Sequence, residues 1–342
     1  MLTHRHVAVA AEIGMLVREA QEVQARQEML RLLNTALHGD AACLVAIDPF
    51  DGRHHRLAEV DYPPEVARSL TVEFTRTRWF DVVLTSELPQ SISDEPSQSF
   101  RRGWFYERYM KPAGYRDGMT GALWRNGRYV GLLHLSSGRN GTFDTDLRRL
   151  LASVMPAFAA VADLVGRAAD TADIRPADCA ALVSRGRIVP MPDRDRPPVL
   201  LDPEFLRVVA EFQEAGGGRL RFLWPAGRAW HRVELVTAEL PAPPPGAALV
   251  RTRPANVPYG LSGRELEVLT RLAMGCTSDV IAKELVLSPR TIHKHVEHVL
   301  QKTRTSSRTE AATLAVREGV LRPVPGLPGR AGVVTFLNRT HG

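Results

Sequence analysis

The sequence predicts a multidomain chain, α+β over its first two parts and all-α at its C-terminal end. Three observations predict this. Helix-like and strand-like periodicities alternate through the first 240 or so residues. A proline run, Leu240-Pro241-Ala242-Pro243-Pro244-Pro245-Gly246, then interrupts the pattern. After it, four apolar stripes at helical spacing follow one another, each with its ends marked by capping residues. The 342 residues suggest two or three domains at about 150 residues each. Hydrophobic residues at 44% and charged residues at 24% are ordinary globular composition, enough for a core in each part.

Residues 7–37 read as one long helix, with Ile13, Leu16, Val17, Ala20 and Val23 at helical spacing and Met29, Leu30, Leu32 and Leu33 extending the face. Gly39-Asp40 ends it. A strand at 42–47 leads into the turn Asp48-Pro49-Phe50-Asp51-Gly52, and His54-His55 reads as a solvated loop pair. A helix follows at 64–70, a strand at 82–84, and a polar loop at 86–99. Asn126-Gly127 between strand-like runs at 121–124 and 129–135 is the hairpin signal, because a type I′ turn needs positive φ at both central residues. A helix at 145–164 presents Leu147, Leu150, Leu151, Val154, Phe158 and Val161 on one face, with Asp144 as N-cap. The aromatics Trp79, Phe80, Trp104, Phe105, Tyr106 and Tyr109 read as core first and as pocket lining second. Strand, helix, strand, strand then follow at 180–189, 203–212, 219–223 and 230–236. Residues 239–259 read as a proline-stiffened linker. The expected domains are 1–168, 169–238, the linker 239–259, the helical domain 260–322 and a loose Pro/Gly tail 323–342.

The helical domain is the most explicit part of the chain. Ser262-Gly263-Arg264-Glu265 is a capping box, and Leu261 with Leu266 is a hydrophobic staple across it. Leu266, Leu269, Leu272 and Ala273 make the first stripe, and Gly275 stops it. A second helix starts at Thr277 or Ser278 and buries Ile281, Ala282 and Leu285. Ser288-Pro289 opens a third, with Ser as N-cap and Pro at the first helical position. Ile292, Val296 and Val299 face its core, leaving Arg290, His293, Lys294, Glu297, His298 and Gln301 outside. Ser307-Arg308-Thr309-Glu310 repeats the capping box for a fourth helix that ends at Gly319. Two short helices joined by a tight turn, the second with cations outward, suit a DNA major groove about 12 Å wide.

Charge agrees. The chain carries a formal +6, and twelve Lys+Arg against seven Asp+Glu between Arg251 and Arg322 place most of that excess here. The sequence holds none of GxGxxG, Walker A, GxSxG or HExxH, so no enzyme class is expected. Cys43, Cys179 and Cys276 are widely spaced and read as reduced thiols. With no signal-peptide pattern, a cytoplasmic protein without a membrane partner is expected. No cofactor or metal is expected, since His293, His295 and His298 do not converge on one helix face.

The residues Leu261-Ser262-Gly263-Arg264-Glu265-Leu266-Glu267-Val268-Leu269, Gly275, Ile281-Ala282, Ser288-Pro289-Arg290-Thr291-Ile292, Ser307-Arg308-Thr309-Glu310-Ala311 and Gly319 resemble the LuxR-type DNA-binding domain. The segment from Trp104 to Asp117, with Gly131 to Leu135 and Phe143-Asp144, resembles GAF-like sensory domains. The fold class implied is therefore a GAF-like α+β sensory domain, a small PAS-like α+β unit and a C-terminal all-α four-helix LuxR-type helix-turn-helix. The resemblance implies a transcriptional regulator whose third helix of the bundle enters the major groove. It places His293, Lys294 and Glu297 at base edges and Arg290, Thr291, His295, His298 and Lys302 near them or the phosphate backbone. The implied partners are double-stranded DNA, a second copy of the chain through the fourth helix, RNA polymerase, and a small-molecule or protein effector at the N-terminal region. The reading from a different class is a protein-interaction adaptor. The chain departs from the family at Gly263 (usually Pro), at Val280 (usually Glu, which removes a capping box) and at Thr303-Arg304 (usually Leu-Gly, which removes a C-cap glycine).

Overall fold

The computed structural model describes residues 4–20, 22–95, 97–171, 174–175, 177–238, 240 and 246–324. They divide into two compact units, one ending at Arg167 and the other starting at Ala168.

The first unit runs α1 (His4–Leu16), α2 (Val23–Ala36), β1 (Ala41–Ile47), β2 (His54–Val60), α3 (Pro64–Val72), α4 (Arg78–Thr85), β3 (Gln90–Ser91), β4 (Asp117–Arg125), β5 (Arg128–Ser137) and α5 (Thr145–Ala162). Its antiparallel sheet has the order β2-β1-β5-β4-β3. Side chains alternate across it. Cys43, Leu132, Ala122 and Val45 face a core shared with Val66 and Leu70 of α3. On the opposite face Gly121 lies against Met155 of α5, where an added Cβ would come within 2.8 Å of the sulfur. The Asn126-Gly127 turn has φ of 50° and 73°, as a two-residue hairpin requires. Asp144 caps α5 by accepting from Leu147 N at 3.0 Å.

Three expectations fail here. The helix expected over 7–37 is two helices, broken through the 3₁₀ turn Val17–Glu19, with Glu22 in an extended conformation before α2. The buried Arg26 guanidinium stabilises the break by donating to Ala20 O at 2.9 Å, one of the carbonyls the break leaves without a helical partner. Residues 82–84 lie in α4 rather than a strand. Val83 is buried there and Trp79 and Phe80 pack beside the same core, a helical spacing that a three-residue window could not show. His54 and His55 are not in a loop but in β2, paired with Ile47 and Ala46.

α6 (Leu164–Thr171) crosses the boundary between the units. The second unit continues with β6 (Cys179–Ser184), β7 (Arg187–Pro190), α7 (Pro203–Glu214), β8 (Arg219–Ala226), β9 (Ala229–Ala238), β10 (Ala247–Ala255), α8 (Gly263–Ala273), α9 (Ser278–Leu285), α10 (Pro289–Thr303) and α11 (Arg308–Glu318). Its sheet, β7-β6-β10-β9-β8, repeats the strand order of the first. The reading of 239–259 as linker is corrected by β10, which lies mid-sheet between β6 and β9. The prolines that suggested a linker cluster at 241–245, outside the described residues. The strand beside them, Ala247-Ala248-Leu249-Val250-Arg251, is buried throughout.

No linker therefore isolates the helical bundle. Phe205, Val208, Val209 and Phe212 of α7 share one core with Phe222, Trp224, Val233 and Leu235 of the sheet and with Leu266, Leu269, Ala311 and Ala315 of α8 and α11. Each fully buried Phe, Val or Leu side chain among them contributes about 1.5–3 kcal/mol. Leu223 N also donates to Leu321 O at 2.8 Å. The expected tail falls mostly outside the described residues, apart from Pro323 and Val324. Among the described residues, no single helix is long and apolar enough to cross a membrane.

Candidate nucleic-acid interface

The capping residues read in the sequence set the N-terminal ends of all four bundle helices. Ser262 Oγ accepts from Glu265 N at 3.2 Å and the Glu265 carboxylate accepts from Ser262 N at 2.7 Å, closing the box. Thr277 alone caps α9, through Val280 N at 3.4 Å, as expected where Val280 replaces a glutamate. Ser288 Oγ accepts from Thr291 N at 3.1 Å, with Pro289 next in line. Ser307 Oγ accepts from Glu310 N at 3.1 Å, but Glu310 reaches back to Ser306 N at 2.7 Å rather than to Ser307. The missing C-cap glycine of α10 is replaced by Arg304 itself, held at φ 55° and ψ 41°, while Thr305 N bonds Leu300 O at 3.0 Å.

The turn between α9 and α10 is tight. Leu287 N returns to Ala282 O at 2.9 Å, and Val286 adopts the left-handed conformation with its side chain 89% exposed. Behind the turn Val268, Leu272, Ile281, Ala282, Ile292 and Val296 form a small core that fixes α10 against α8 and α9. Core residues occupy one side of α10, so the other side is fixed by helical period.

The eight residues expected at DNA separate into three groups. Arg290, His293, Lys294 and Glu297 are exposed, and none has a side-chain hydrogen bond or ion pair to another described residue. Thr291 is half-buried and shares the N-cap, its hydroxyl 2.8 Å from Ser288 Oγ. His295 is half-buried beside the core stripe. His298 and Lys302 instead turn toward the start of α8. His298 Nδ1 lies 3.5 Å and Lys302 Nζ 2.7 Å from the Glu265 carboxylate, and Lys302 also donates to Gly260 O at 3.0 Å. Burial raises the Glu265 pKa, but Lys302 and the Ser262 donors outweigh it, so the carboxyl sits below its ordinary value.

Other cations of the bundle are likewise engaged. Arg264 pairs with Glu267 and donates to Leu285 O, Arg271 pairs with Glu284, Arg322 pairs with Glu267, and Arg308 donates to Cys276 O. Lys283 of α9 and Arg304 are exposed without a partner among the described residues. Sequence reasoning did not single out these two. The outward charge of the bundle is thus concentrated on α10 and its flanks.

A second candidate site lies in the first unit. A cavity of about 40 Å³ is lined by Phe74, Trp79, Phe100, Phe105, Met110 and His134 among others. His134 is buried, and burial, helped by nearby His54, pushes its pKa down to about 3, so the ring is neutral. Its Nδ1 is 3.0 Å from Thr120 Oγ1, whereas its Nε2 is buried with no partner among the described residues. Tyr62 OH meets Ser136 Oγ at 2.7 Å in the same wall. Of the aromatics expected as core or pocket lining, Trp79 and Phe105 line this cavity, and Trp104 is half exposed. His134 was missed. Its signal was a lone polar residue in the apolar run Leu132-Leu133-His134-Leu135. Elsewhere Asp48, Asp51 and His55 bring one ligand atom each within 4.8 Å of one another, but the two carboxylates already accept from the turn amides of Phe50 and Arg53.

The family profile described as "Bacterial regulatory proteins, luxR family" matches residues 260–315. Those residues are a LuxR-type domain. The chain is 41% identical over 59 residues to the uncharacterized transcriptional regulatory protein YxjL of Bacillus subtilis, covering 17% of this chain and 27% of that protein. It is 40% identical over 75 residues to the probable transcriptional regulatory protein NarL of Mycobacterium tuberculosis, covering 22% and 35%. The matched region therefore spans about a third or less of these relatives. A GAF domain of a Coxiella burnetii phosphoenolpyruvate-protein phosphotransferase aligns at 17% identity and a TM-score of 0.40 over 50% of this chain and all of that one. Escherichia coli SdiA aligns at 16% identity and a TM-score of 0.30 over 88% and 92%. The LuxR-type match falls on α8 to α11, the elements whose caps and core the sequence specified.

Proposed function

We propose that this chain is a DNA-binding transcriptional regulator, cytoplasmic and not an enzyme, whose α10 reads the major groove under control of the N-terminal sensory unit. The observation that carries the reading is the outward side of α10. Arg290, His293 and Lys294 stand exposed and unpartnered there, while neighbouring cations are tied into intramolecular pairs. A helix in this position brings its first turn to phosphates and the next turn to base edges. Arg290, Thr291 and the amides at the start of α10 serve the phosphates, and His293, Lys294 and Glu297 face the bases. Glu297 accepts from cytosine N4. His298 and Lys302 position α10 on α8 rather than touch DNA, and His295 borders the core.

Pairing follows the same logic, because helix-turn-helix heads bind half-sites about 34 Å apart. Thr309, Thr313 and Arg317 form the exposed edge of α11 that a second copy would meet. The effector is a small neutral molecule, mostly apolar, with a hydrogen-bonding group for His134 Nε2. RNA polymerase is the downstream partner. Titration of the full chain with genomic and scrambled duplexes at 50 and 200 mM salt tests the reading. Saturable binding that weakens steeply with salt is expected. Binding to no duplex at either salt would leave the adaptor reading in its place.

A further inference from the structure

The outer face of the second sheet holds a basin of arginines that the DNA-binding reading leaves unused. Its origin is a period of two in three neighbouring strands: Arg219 and Arg221 in β8, Arg232 and Glu234 in β9, Arg251 and Arg253 in β10. Register aligns them. Arg221 lies opposite Glu234 and Glu234 opposite Arg251, and one step along Arg232 lies opposite Arg253. The alternate residues Phe222, Val233, Leu235 and Val250 are in the core with α7. The polar row therefore cannot fold inward. Arg175 closes the rim, and the concavity has a volume of about 240 Å³.

Charge in the basin does not balance. Six guanidinium groups face two carboxylates, Glu234 and Asp178. Glu234 is the hub, paired with Arg219, with Arg251 and with Arg221 at 3.2 Å. One carboxylate meeting three guanidiniums neutralises one of them. Arg232 is spent on the carbonyl of Glu318, 2.9 Å away at the end of α11. Arg175 and Arg253 are exposed and have no side-chain partner among the described residues. Glu234 and Arg251 form a largely buried floor, with side-chain exposures of 15% and 11%, and the remaining arginines form the walls. A cationic surface meant only for solubility has no reason to be concave, floored and built on one sheet face.

We infer that this basin binds a small anion carrying two or more phosphates, such as pyrophosphate or the phosphate chain of a nucleotide. Guanidinium forks match phosphate oxygens in bidentate geometry, and several of them around one site favour a multiply charged anion over a carboxylate. A duplex backbone presents a ridge of single phosphates and fits the enclosed floor less well. Occupation would also be felt by the LuxR-type domain, because Arg232 holds the last carbonyl of α11 and Gly319 lies so close to the β8 backbone that a Cβ there would come within 2.8 Å of Arg221 Cβ.

The test is calorimetric titration of the full chain at 150 mM salt with pyrophosphate and, separately, with a nucleoside triphosphate. The double variant Arg175→Ala/Arg253→Ala and Lys294→Ala serve as comparisons. Expected are one site per chain in the wild type, affinity weakened about tenfold or more in the double variant, and unchanged affinity in Lys294→Ala. Both variants replace exposed, unpartnered side chains, and an unchanged melting temperature verifies that folding is intact. A triphosphate that binds tighter than pyrophosphate identifies a nucleotide as the ligand, and equal affinities identify the phosphates alone; both support the site. No saturable heat with either anion overturns it, as does equal binding by the double variant. Displacement of pyrophosphate by duplex DNA from the Lys294→Ala protein also overturns it, by making the basin a backbone contact.

Discussion

Lys294 and Lys302 lie two turns apart on α10 and should behave oppositely when each is changed to alanine. Lys294 is exposed and unpartnered, whereas Lys302 is bound to Glu265 and Gly260 O. Facing base edges from within the groove, the Lys294 ammonium still stands between the phosphate ridges and displaces about one counterion, so its loss removes about one neutralised charge per head. The slope of log K against log salt then falls by about 0.9 per head, or about 1.8 for a pair of heads. Between 50 and 200 mM salt, a fourfold change, the wild type should lose about 12-fold more affinity than the Lys294→Ala pair. Lys302→Ala should leave the slope unchanged. It removes a charge-assisted bond to a largely buried carboxylate, so it should instead cost about 1.5–3 kcal/mol of stability. Fluorescence anisotropy on a fixed duplex at four salt concentrations gives the slopes, and urea unfolding gives the stabilities. Equal slopes for wild type and Lys294→Ala, or a reduced slope for Lys302→Ala, would refute the assignment of the outward face of α10.

Three further outcomes follow from local geometry. Val286→Gly should stabilise the second unit by about 0.5–1 kcal/mol, since the left-handed conformation costs a non-glycine residue about 1–2 kcal/mol and glycine loses back about 0.5–1 through chain entropy; the 89%-exposed side chain has little burial to forfeit, and a lower urea midpoint would contradict this. Glu265, whose folded pKa is depressed, contributes stability that is complete above its unfolded value of about 4.3 and lost as pH falls through the folded value; Glu265→Gln should lower stability at pH 7 and flatten that acid limb, and parallel wild-type and variant curves from pH 7 to 3 would show the ion pair to be idle. His134, depressed to about 3 by burial, works the other way round for a base: the unfolded chain takes up the proton first, so the first unit is most stable above about pH 6.5 and should lose about 2 kcal/mol by pH 5, a loss absent in His134→Gln when unfolding is followed at both pH values.

The parts of this molecule legible in sequence are those whose signals are local. Ser262 with Glu265, Ser288 with Pro289 and Gly319 are each read within four residues, and each does in the structure what its spacing implies. Asn126-Gly127 is of the same kind. The failures are non-local. The prolines at 241–245 dominate their stretch and make it read as linker, although what makes Ala247–Ala255 a strand is its pairing with β6 and β9, distant in sequence. β2 was missed because His54 and His55 are polar, and only their partners Ile47, Ala46 and Tyr129 explain why they are half-buried. The break between α1 and α2 depends on Arg26 reaching back to Ala20 O, which periodicity cannot express.

The same distinction decides which site residues could be assigned from sequence. Helical period alone places Arg290, Lys294 and Glu297 outward, because the core residues Ile292, Val296 and Val299 fix the opposite side. It cannot tell that Lys302 and His298 are used by Glu265, since Glu265 lies 37 and 33 positions earlier and meets them only through α8 packing. Resemblance carried all eight residues to DNA with equal weight. Physical accounting of partners divides them, because a cation already paired with a buried carboxylate gains less from a phosphate than it gives up. The same accounting separates the arginines of the basin on the second sheet, where one glutamate is shared three ways, from those of the bundle, where Glu267 and Glu284 between them occupy Arg264, Arg271 and Arg322. In both places the surplus of charge over local partners, rather than the count of basic residues, marks where an anion has something to gain.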